Sequence, residues 1–147
     1  MLNFNLIRMP EEVYFILQIL LAIILGGLIG WQRERLGKSA GARTYALVTA
    51  GAALFTLLSV NAFAAQPAIV AAQIVTGIGF LGAGSILHRE SRIEGLTTAA
   101  GLWIAAAIGM SVGLKYYLLS VLGTLIVLLV LFFDSEKLAG KKEIEKN

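Results

Sequence analysis

The side chains that could do chemistry are concentrated in two short segments of the chain. They are mostly arginines and glutamates: Arg33, Glu34, Arg35 and Arg43 in the first segment, and Arg89, Glu90, Arg92 and Glu94 in the second. Mg²⁺ binds one or two carboxylates and keeps several waters, which makes the glutamates candidate ligands. They alternate with arginines, so we favour ion pairs and expect no metal site. Arginine and glutamate also form forked, bidentate hydrogen bonds. Lys38 is the only lysine of these segments, although lysine would orient a membrane protein as well as arginine does. The preference for arginine indicates ion pairs between loops or a docking surface, and plain membrane anchoring is an equally weighted alternative.

A glycine-rich run provides a third candidate site. Gly77, Gly79 and Gly82 match the dinucleotide fingerprint G-x-G-x-x-G, and Gly84 follows shortly after. That fingerprint needs a preceding strand and an acid about 20 residues further on, whereas Leu102 stands near that position. We therefore expect no cofactor, and interpret the glycines as a packing surface or a loosened helix.

Polar side chains within the same run have two interpretations. Gln73 and Thr76 are three residues apart, which places them on one helical face. Hydrogen bonds between membrane helices contribute about 0.6 kcal/mol on average, so these side chains are expected to join helices. A permeation path is the alternative.

Several classes of chemistry are excluded or disfavoured. The chain has no cysteine, its only histidine is His88 and its only aspartate is Asp134, so neither a thiol site nor a Ser-His-Asp triad can form. The charges lie at the ends of apolar runs, which is typical of membrane topology and not of nucleic-acid binding. We predict a protein that is not an enzyme and binds no nucleic acid.

The elements that must position these residues are membrane helices. The 147 residues are 58% hydrophobic and 14% charged, against about 25% charged in soluble domains. A bilayer core of about 30 Å requires roughly 20 helical residues. Five stretches qualify, at 13–31, 44–63, 68–87, 96–113 and 116–133. The sequence predicts an all-α, polytopic bundle of about five transmembrane helices over 1–133, followed by a short charged cytoplasmic tail over 134–147.

The distribution of positive charge predicts the orientation. Short loops rich in Lys and Arg stay in the cytoplasm. With the first and third loops inside, ten of the twelve Lys and Arg residues lie on one side, and only Arg8 and Lys115 lie outside. We predict an external N-terminus and a cytoplasmic C-terminus.

Small residues predict which helices pack together, since membrane helices approach closely where side chains are small. Two stripes recur every fourth residue: Ala22, Gly26 and Gly30 in the first span, and Gly101, Ala105, Gly109 and Gly113 in the fourth. With the glycines of the third span, they predict that spans one, three and four form the interior. The fifth span is expected to face lipid, and a homo-oligomer is expected.

Three ordered motifs resemble the MgtC/SapB family. They are Gly27-Leu28-Ile29-Gly30-Trp31-Gln32-Arg33-Glu34-Arg35 with Ala40-Gly41-Ala42-Arg43-Thr44, then Gln73-Ile74-Val75-Thr76-Gly77-Ile78-Gly79-Phe80-Leu81-Gly82-Ala83-Gly84, then Gly95-Leu96-Thr97-Thr98-Ala99-Ala100-Gly101-Leu102-Trp103. Together they cover roughly residues 20–113. The magnesium-stress branch often has Asn at the position of Thr97 and Thr at that of Gly101, so we expect a generic member of the family.

The resemblance implies a multi-pass protein of the bacterial inner membrane with a role in magnesium homeostasis or stress adaptation. Family members have been tied to inhibition of the proton-translocating ATP synthase, which is therefore an expected type of partner. Many relatives carry a soluble C-terminal domain, and none is expected within these 147 residues. Two hypotheses remain: an accessory or regulatory membrane protein, and a homo-oligomeric cation channel or transporter.

Overall fold

The structure is a computed structural model that describes residues 10–63, 65–89 and 92–144, with side chains to residue 132 except at 87–89 and 92. These residues form five helices and one short hairpin. In chain order the elements are α1 (Glu11–Arg35), α2 (Ala42–Ala62), α3 (Pro67–Gly84), β1 (Leu87–Arg89), β2 (Arg92–Glu94), α4 (Leu96–Gly113) and α5 (Tyr117–Ile144). The predicted all-α bundle is confirmed; its orientation in the membrane stays a prediction.

The helices are apolar over most of their length. Four of those described, α1 to α4, are long and apolar enough to cross a membrane. The side chains of α5 are described as far as Phe132, and the segment Tyr117–Phe132 is apolar. The α5 backbone continues as a helix to Ile144, through most of the predicted charged tail.

The core of the bundle is formed by α2 with α1 and α4, and these last two also contact each other. The stripe of α1 packs against α2 so closely that a Cβ at Gly26 would overlap the Thr49 hydroxyl oxygen. The stripe of α4 packs against the same residue, where a Cβ at Gly109 would overlap the Thr49 carbonyl oxygen. The Thr49 hydroxyl also donates a hydrogen bond of 2.6 Å to the Ala22 carbonyl oxygen. Both stripes are therefore used within one copy of the chain, with α2 as their shared partner.

The prediction that the third span lies in the packed interior is wrong for a single copy. Only 11% of the apolar window of α3 is buried, against 50% for α4. A Cβ at Gly77, Gly79 or Gly84 would have no neighbour within 4 Å, and Gly82 is in ordinary contact with Ala99. The physical reason is that α4 occupies the face of α2 that α3 would need. The prediction for the fifth span agrees with the structure, since most apolar side chains of α5 up to Phe132 are exposed.

A hairpin joins α3 to α4, where the sequence indicated only a charged loop. Strand β1 pairs antiparallel with β2, with Leu87 opposite Glu94. The third helix therefore ends at Gly84, not at the predicted residue 87. Gly95 lies between β2 and α4 with φ of +93°, and a Cβ there would overlap the Ser85 carbonyl oxygen. No residue with a side chain fits at this position without displacing that backbone.

Candidate functional site

The first segment of charges begins within the last turn of α1, and a glycine-based cap ends this helix. Gly37 adopts the left-handed conformation with φ of +64°. The backbone N–H groups of Leu36 and Lys38 then both donate to the Arg33 carbonyl oxygen, at 3.2 and 3.1 Å. This arrangement satisfies carbonyls that the helix end would leave unpaired. It fixes the backbone of Arg33 and turns the chain back towards α2.

Arg33 points into the bundle, although it lies at the end of its helix. Its side chain is 1% exposed and lies close to the hydroxyl of Tyr45 of α2, which is fully buried. The Tyr45 hydroxyl in turn donates to the Thr98 carbonyl oxygen of α4 at 3.4 Å, which is a long hydrogen bond. Gly101 makes room for this hydroxyl, since a Cβ there would overlap it. We call these residues the Arg33–Tyr45–Thr98 cluster.

The cluster places a permanent positive charge where three helices meet. Removing a guanidinium from water is costly, and the cost is recovered only through well-placed hydrogen bonds. Such bonds are strong in a medium of low dielectric constant, but they tolerate little displacement of their partners. The cluster therefore couples the positions of α1, α2 and α4 at the end of the bundle that carries the charged loops.

Glu34, one of the charges predicted to form ion pairs or a docking surface, caps the next helix. Its Oε2 accepts a hydrogen bond of 2.9 Å from the backbone N–H of Ala42, the first residue of α2. A carboxylate is favourable there, because a helix N-terminus carries partial positive charge. A Cβ at Gly41 would lie 2.7 Å from the same Oε2, so the glycine leaves room for the cap.

This contact predicts a graded series of substitutions at Glu34. Glu34→Gln keeps an acceptor for the Ala42 N–H but loses the charge, and should lower the free energy of unfolding by about 0.5 kcal/mol. Glu34→Ala removes the acceptor too and should cost about 1 kcal/mol. Reversible unfolding in mixed micelles would measure both changes, with Lys38→Ala in the same loop as the control. Equal stability of all the variants would contradict the capping role.

The other predicted charges are not drawn into the Arg33–Tyr45–Thr98 cluster. Arg35 lies over the ring of Trp31 at 3.8 Å from its centroid, on the exposed side of α1. Arg43 is exposed in the first turn of α2, and Glu94 is partly exposed in β2. Arg89 lies in β1, where the structure does not describe its side chain, and Glu90 lies outside the described residues. Within the described part of the chain, no three His, Cys, Asp or Glu side chains come together to hold a metal ion.

The side chains of the predicted permeation path lie at separate positions, most of them exposed. Gln73 and Thr76 are both exposed on α3, and the Thr76 hydroxyl donates to the Ala72 carbonyl oxygen of its own helix at 3.2 Å. Thr97 and Trp103 are exposed on α4, whereas Thr98 is buried. These side chains do not converge on a common point inside a single copy.

An apolar groove separates α2 from α3. Its volume is about 620 Å³, within the range of about 300–1,000 Å³ seen for small-molecule sites. Apolar side chains line most of it, with Arg43 and Thr44 from the first turn of α2 and Gln73 from α3. We call it the α2–α3 groove.

Two buried polar residues were missed by the sequence analysis. Gln18 is 2% exposed, and its Nε2 donates to the Val112 carbonyl oxygen at 2.8 Å, joining α1 to the end of α4. It stands four residues before Ala22, so continuing the stripe by one step would have found it. Tyr45 lies four residues before Thr49, which identifies it as part of the same face of α2.

Comparison with known proteins identifies the family. The family model described as the MgtC family matches residues 19–138. The chain is 47% identical over 126 residues to the Escherichia coli K12 protein named "Putative magnesium transporter YhiD", covering 80% of this chain and 59% of that protein. It is 46% identical over 114 residues to "Protein MgtC" of Salmonella typhimurium LT2, covering 78% of this chain and 49% of that protein. No solved structure matches.

A more distant relative is similar over a larger share of its own length. "Protein SrpB" of Synechococcus elongatus is 40% identical over 144 residues, which cover 86% of this chain and 79% of that protein. By contrast, this chain spans only about half to three fifths of YhiD and MgtC. The family match and the four apolar helices together make this a membrane protein, and the chain belongs to the MgtC family.

Proposed function

We propose that the chain is an accessory or regulatory protein of the bacterial inner membrane in magnesium or stress homeostasis. It acts through contacts made by its helices and its charged loops, without catalysing a reaction. The Arg33–Tyr45–Thr98 cluster carries this proposal, because it links the packing of three helices to the loop face. The names of the relatives YhiD and MgtC motivate the association with magnesium.

The packing of α1, α2 and α4 supports an accessory role over transport through one copy. A Cβ at Gly26, Gly30, Gly101, Gly109 or Gly113 would lie within 3 Å of a neighbouring helix or loop. Helices in such close contact leave no space between them for a hydrated cation. Within this core, the Thr49 and Thr56 hydroxyls are bonded to backbone carbonyls.

A second candidate function is a homo-oligomeric cation channel with its path between copies. The observation that favours it is the exposed face of α3, where the Gln73 amide and the open Gly77 are available to a neighbouring chain. An amide in a membrane-spanning helix would find polar partners at such an interface. In this arrangement α3 would line the path.

Magnesium flux and growth rescue together distinguish the two functions. Purified protein would be reconstituted into liposomes that contain a Mg²⁺-sensitive dye, and the same gene would be tested for rescue of a deletion strain under magnesium limitation. The accessory role predicts rescue without flux above empty liposomes, and unchanged rescue by Gln73→Leu. The channel predicts flux that Gln73→Leu abolishes and that the control Asn61→Leu, an exposed amide of α2, leaves intact. Flux in wild-type liposomes would overturn the accessory role.

The partner in this proposal is another membrane complex, and the proton-translocating ATP synthase is the first to test. Inverted membrane vesicles that contain the synthase would receive the purified protein by fusion of proteoliposomes. We expect slower ATP-driven acidification, with no change in acidification driven by respiration. Equal slowing of both would indicate a proton leak and contradict a specific partner.

A further inference from the structure

The α2–α3 groove is held open by the absence of side chains at its centre. Gly51 of α2 and Gly77 of α3 both line it, and a Cβ at either position would have no neighbour within 4 Å. The ends of α3 are nevertheless attached: the Ser59 hydroxyl donates to the Pro67 carbonyl oxygen at 2.7 Å, and Gly82 contacts Ala99. The gap is therefore a defined feature between two fixed ends.

The groove is charged at one end only. Arg43 and Thr44 lie there, in the first turn of α2, and the groove wall beyond them is apolar apart from Gln73. Arg43 is exposed. Glu34 is bonded to the Ala42 N–H next to it. A guanidinium above an apolar channel complements a molecule with an anionic, hydrogen-bond-accepting head and an apolar body.

The length of the groove distinguishes between possible occupants. From Arg43 to Phe55, the twelve residues of α2 rise about 18 Å. Half of a bilayer core of about 30 Å is about 15 Å, so the groove extends about as far as one leaflet. A helix from a second copy would cross the whole core and would extend well beyond the groove. Basic sites between membrane helices are known to bind the head groups of anionic lipids.

We propose that the α2–α3 groove binds one anionic phospholipid from the leaflet next to the charged loops. The guanidinium of Arg43 and the hydroxyl of Thr44 hold its phosphate, and its acyl chains lie along Gly51 and Gly77. The site is independent of the Arg33–Tyr45–Thr98 cluster, which lies on the other side of α2. It adds a lipid requirement to the proposed function without depending on it.

Lipid retention on the purified protein tests this site. The full chain would be purified in a neutral detergent, given phosphatidylglycerol or phosphatidylcholine, and examined by native mass spectrometry. We expect one phosphatidylglycerol per chain to be retained over phosphatidylcholine. Arg43→Gln should weaken phosphatidylglycerol binding about tenfold, the effect of losing one charge-assisted hydrogen bond. Arg35→Gln, an exposed arginine outside the groove, is the control and should bind as the wild type does.

A second pair of variants tests the groove itself. Gly77→Leu places a side chain in the open space and should reduce lipid retention, whereas Gly79→Leu, equally open but outside the groove, should not. Melting temperatures of both variants would establish that they are folded. If the wild type and Arg43→Gln each retained phosphatidylglycerol and phosphatidylcholine equally, the bound lipid would be only a non-specific shell. That result would overturn the proposal. A change of oligomeric mass in Gly77→Leu without loss of lipid would overturn it too, by assigning the groove to a second copy.

Discussion

Gly109→Leu is expected to destabilise the bundle strongly. A side chain at this position would overlap the Thr49 carbonyl oxygen and would meet the Ala52 Cβ at 2.9 Å. The first obstacle is backbone, so no rotamer change can relieve it, and α4 must move away from α2. We expect a loss of at least about 3 kcal/mol in the free energy of unfolding. The melting temperature in mild detergent would fall accordingly, and Gly109→Ala would show part of the effect.

The control for this prediction is Gly79→Leu in α3. It is also a glycine in an apolar helix, but a Cβ there would have no neighbour within 4 Å. Its stability should change by less than about 0.5 kcal/mol, with a small gain from the better helix propensity of leucine. If both substitutions lowered the melting temperature equally, the effect would belong to the loss of glycine itself and not to the contact between α2 and α4.

The second large effect is expected in the Arg33–Tyr45–Thr98 cluster. Tyr45→Phe removes the hydroxyl that lies close to Arg33 and donates to the Thr98 carbonyl, so the buried guanidinium loses a polar neighbour. We expect a loss of about 2 kcal/mol in the free energy of unfolding, as is typical for hydrogen bonds to charged groups. Arg33→Met removes the charge as well, and an apolar side chain of similar length is often tolerated in place of a buried charge.

A double-mutant cycle isolates this interaction. We expect a coupling energy of about 1.5–3 kcal/mol between Arg33→Met and Tyr45→Phe, measured by reversible unfolding in mixed micelles. Arg35→Met provides the control, since Arg35 is exposed and stacks on Trp31 of its own helix. Growth rescue of the deletion strain adds a measurement that does not depend on stability alone. We expect the double mutant of Arg33→Met and Tyr45→Phe to be stable but to give no rescue under magnesium limitation. Full rescue by that double mutant would assign the cluster to folding alone.

Some features of the fold follow from the pattern of apolar and charged residues. The boundaries of α4, Leu96–Gly113, were predicted as observed, because Gly95 and the charges before it end the apolar run. The stripes at Gly26 and Gly109 were recognised as packing surfaces from their spacing alone. A stripe shows that a close approach is possible, but it does not identify the partner helix. The interior position was therefore assigned to α3, whereas the partner of both stripes is α2.

The candidate site was only partly predictable for a similar reason. The charges of the first predicted loop lie at the ends of α1 and α2, and residue type alone could not separate the buried Arg33 from the exposed Arg35 and Arg43. Arg33 follows Gly30 by three residues and so continues the packed face of α1, which is a usable signal. The hairpin between α3 and α4 could not be anticipated, because a short charged segment between two apolar runs has the same composition whether or not it pairs.

The central position of α2 has a consequence for the order of events during synthesis. The helices emerge from the N-terminus onwards, and the contact of Gly26 with Thr49 joins neighbours in the sequence, so it is available as soon as α2 has been inserted. The part of α2 that packs on α4, with Ala52 and Ala53, becomes covered only when α4 is in place. The nascent chain therefore presents an uncovered small-residue surface to the bilayer until α4 arrives. During that interval, pairing with another chain competes with completion of the fold.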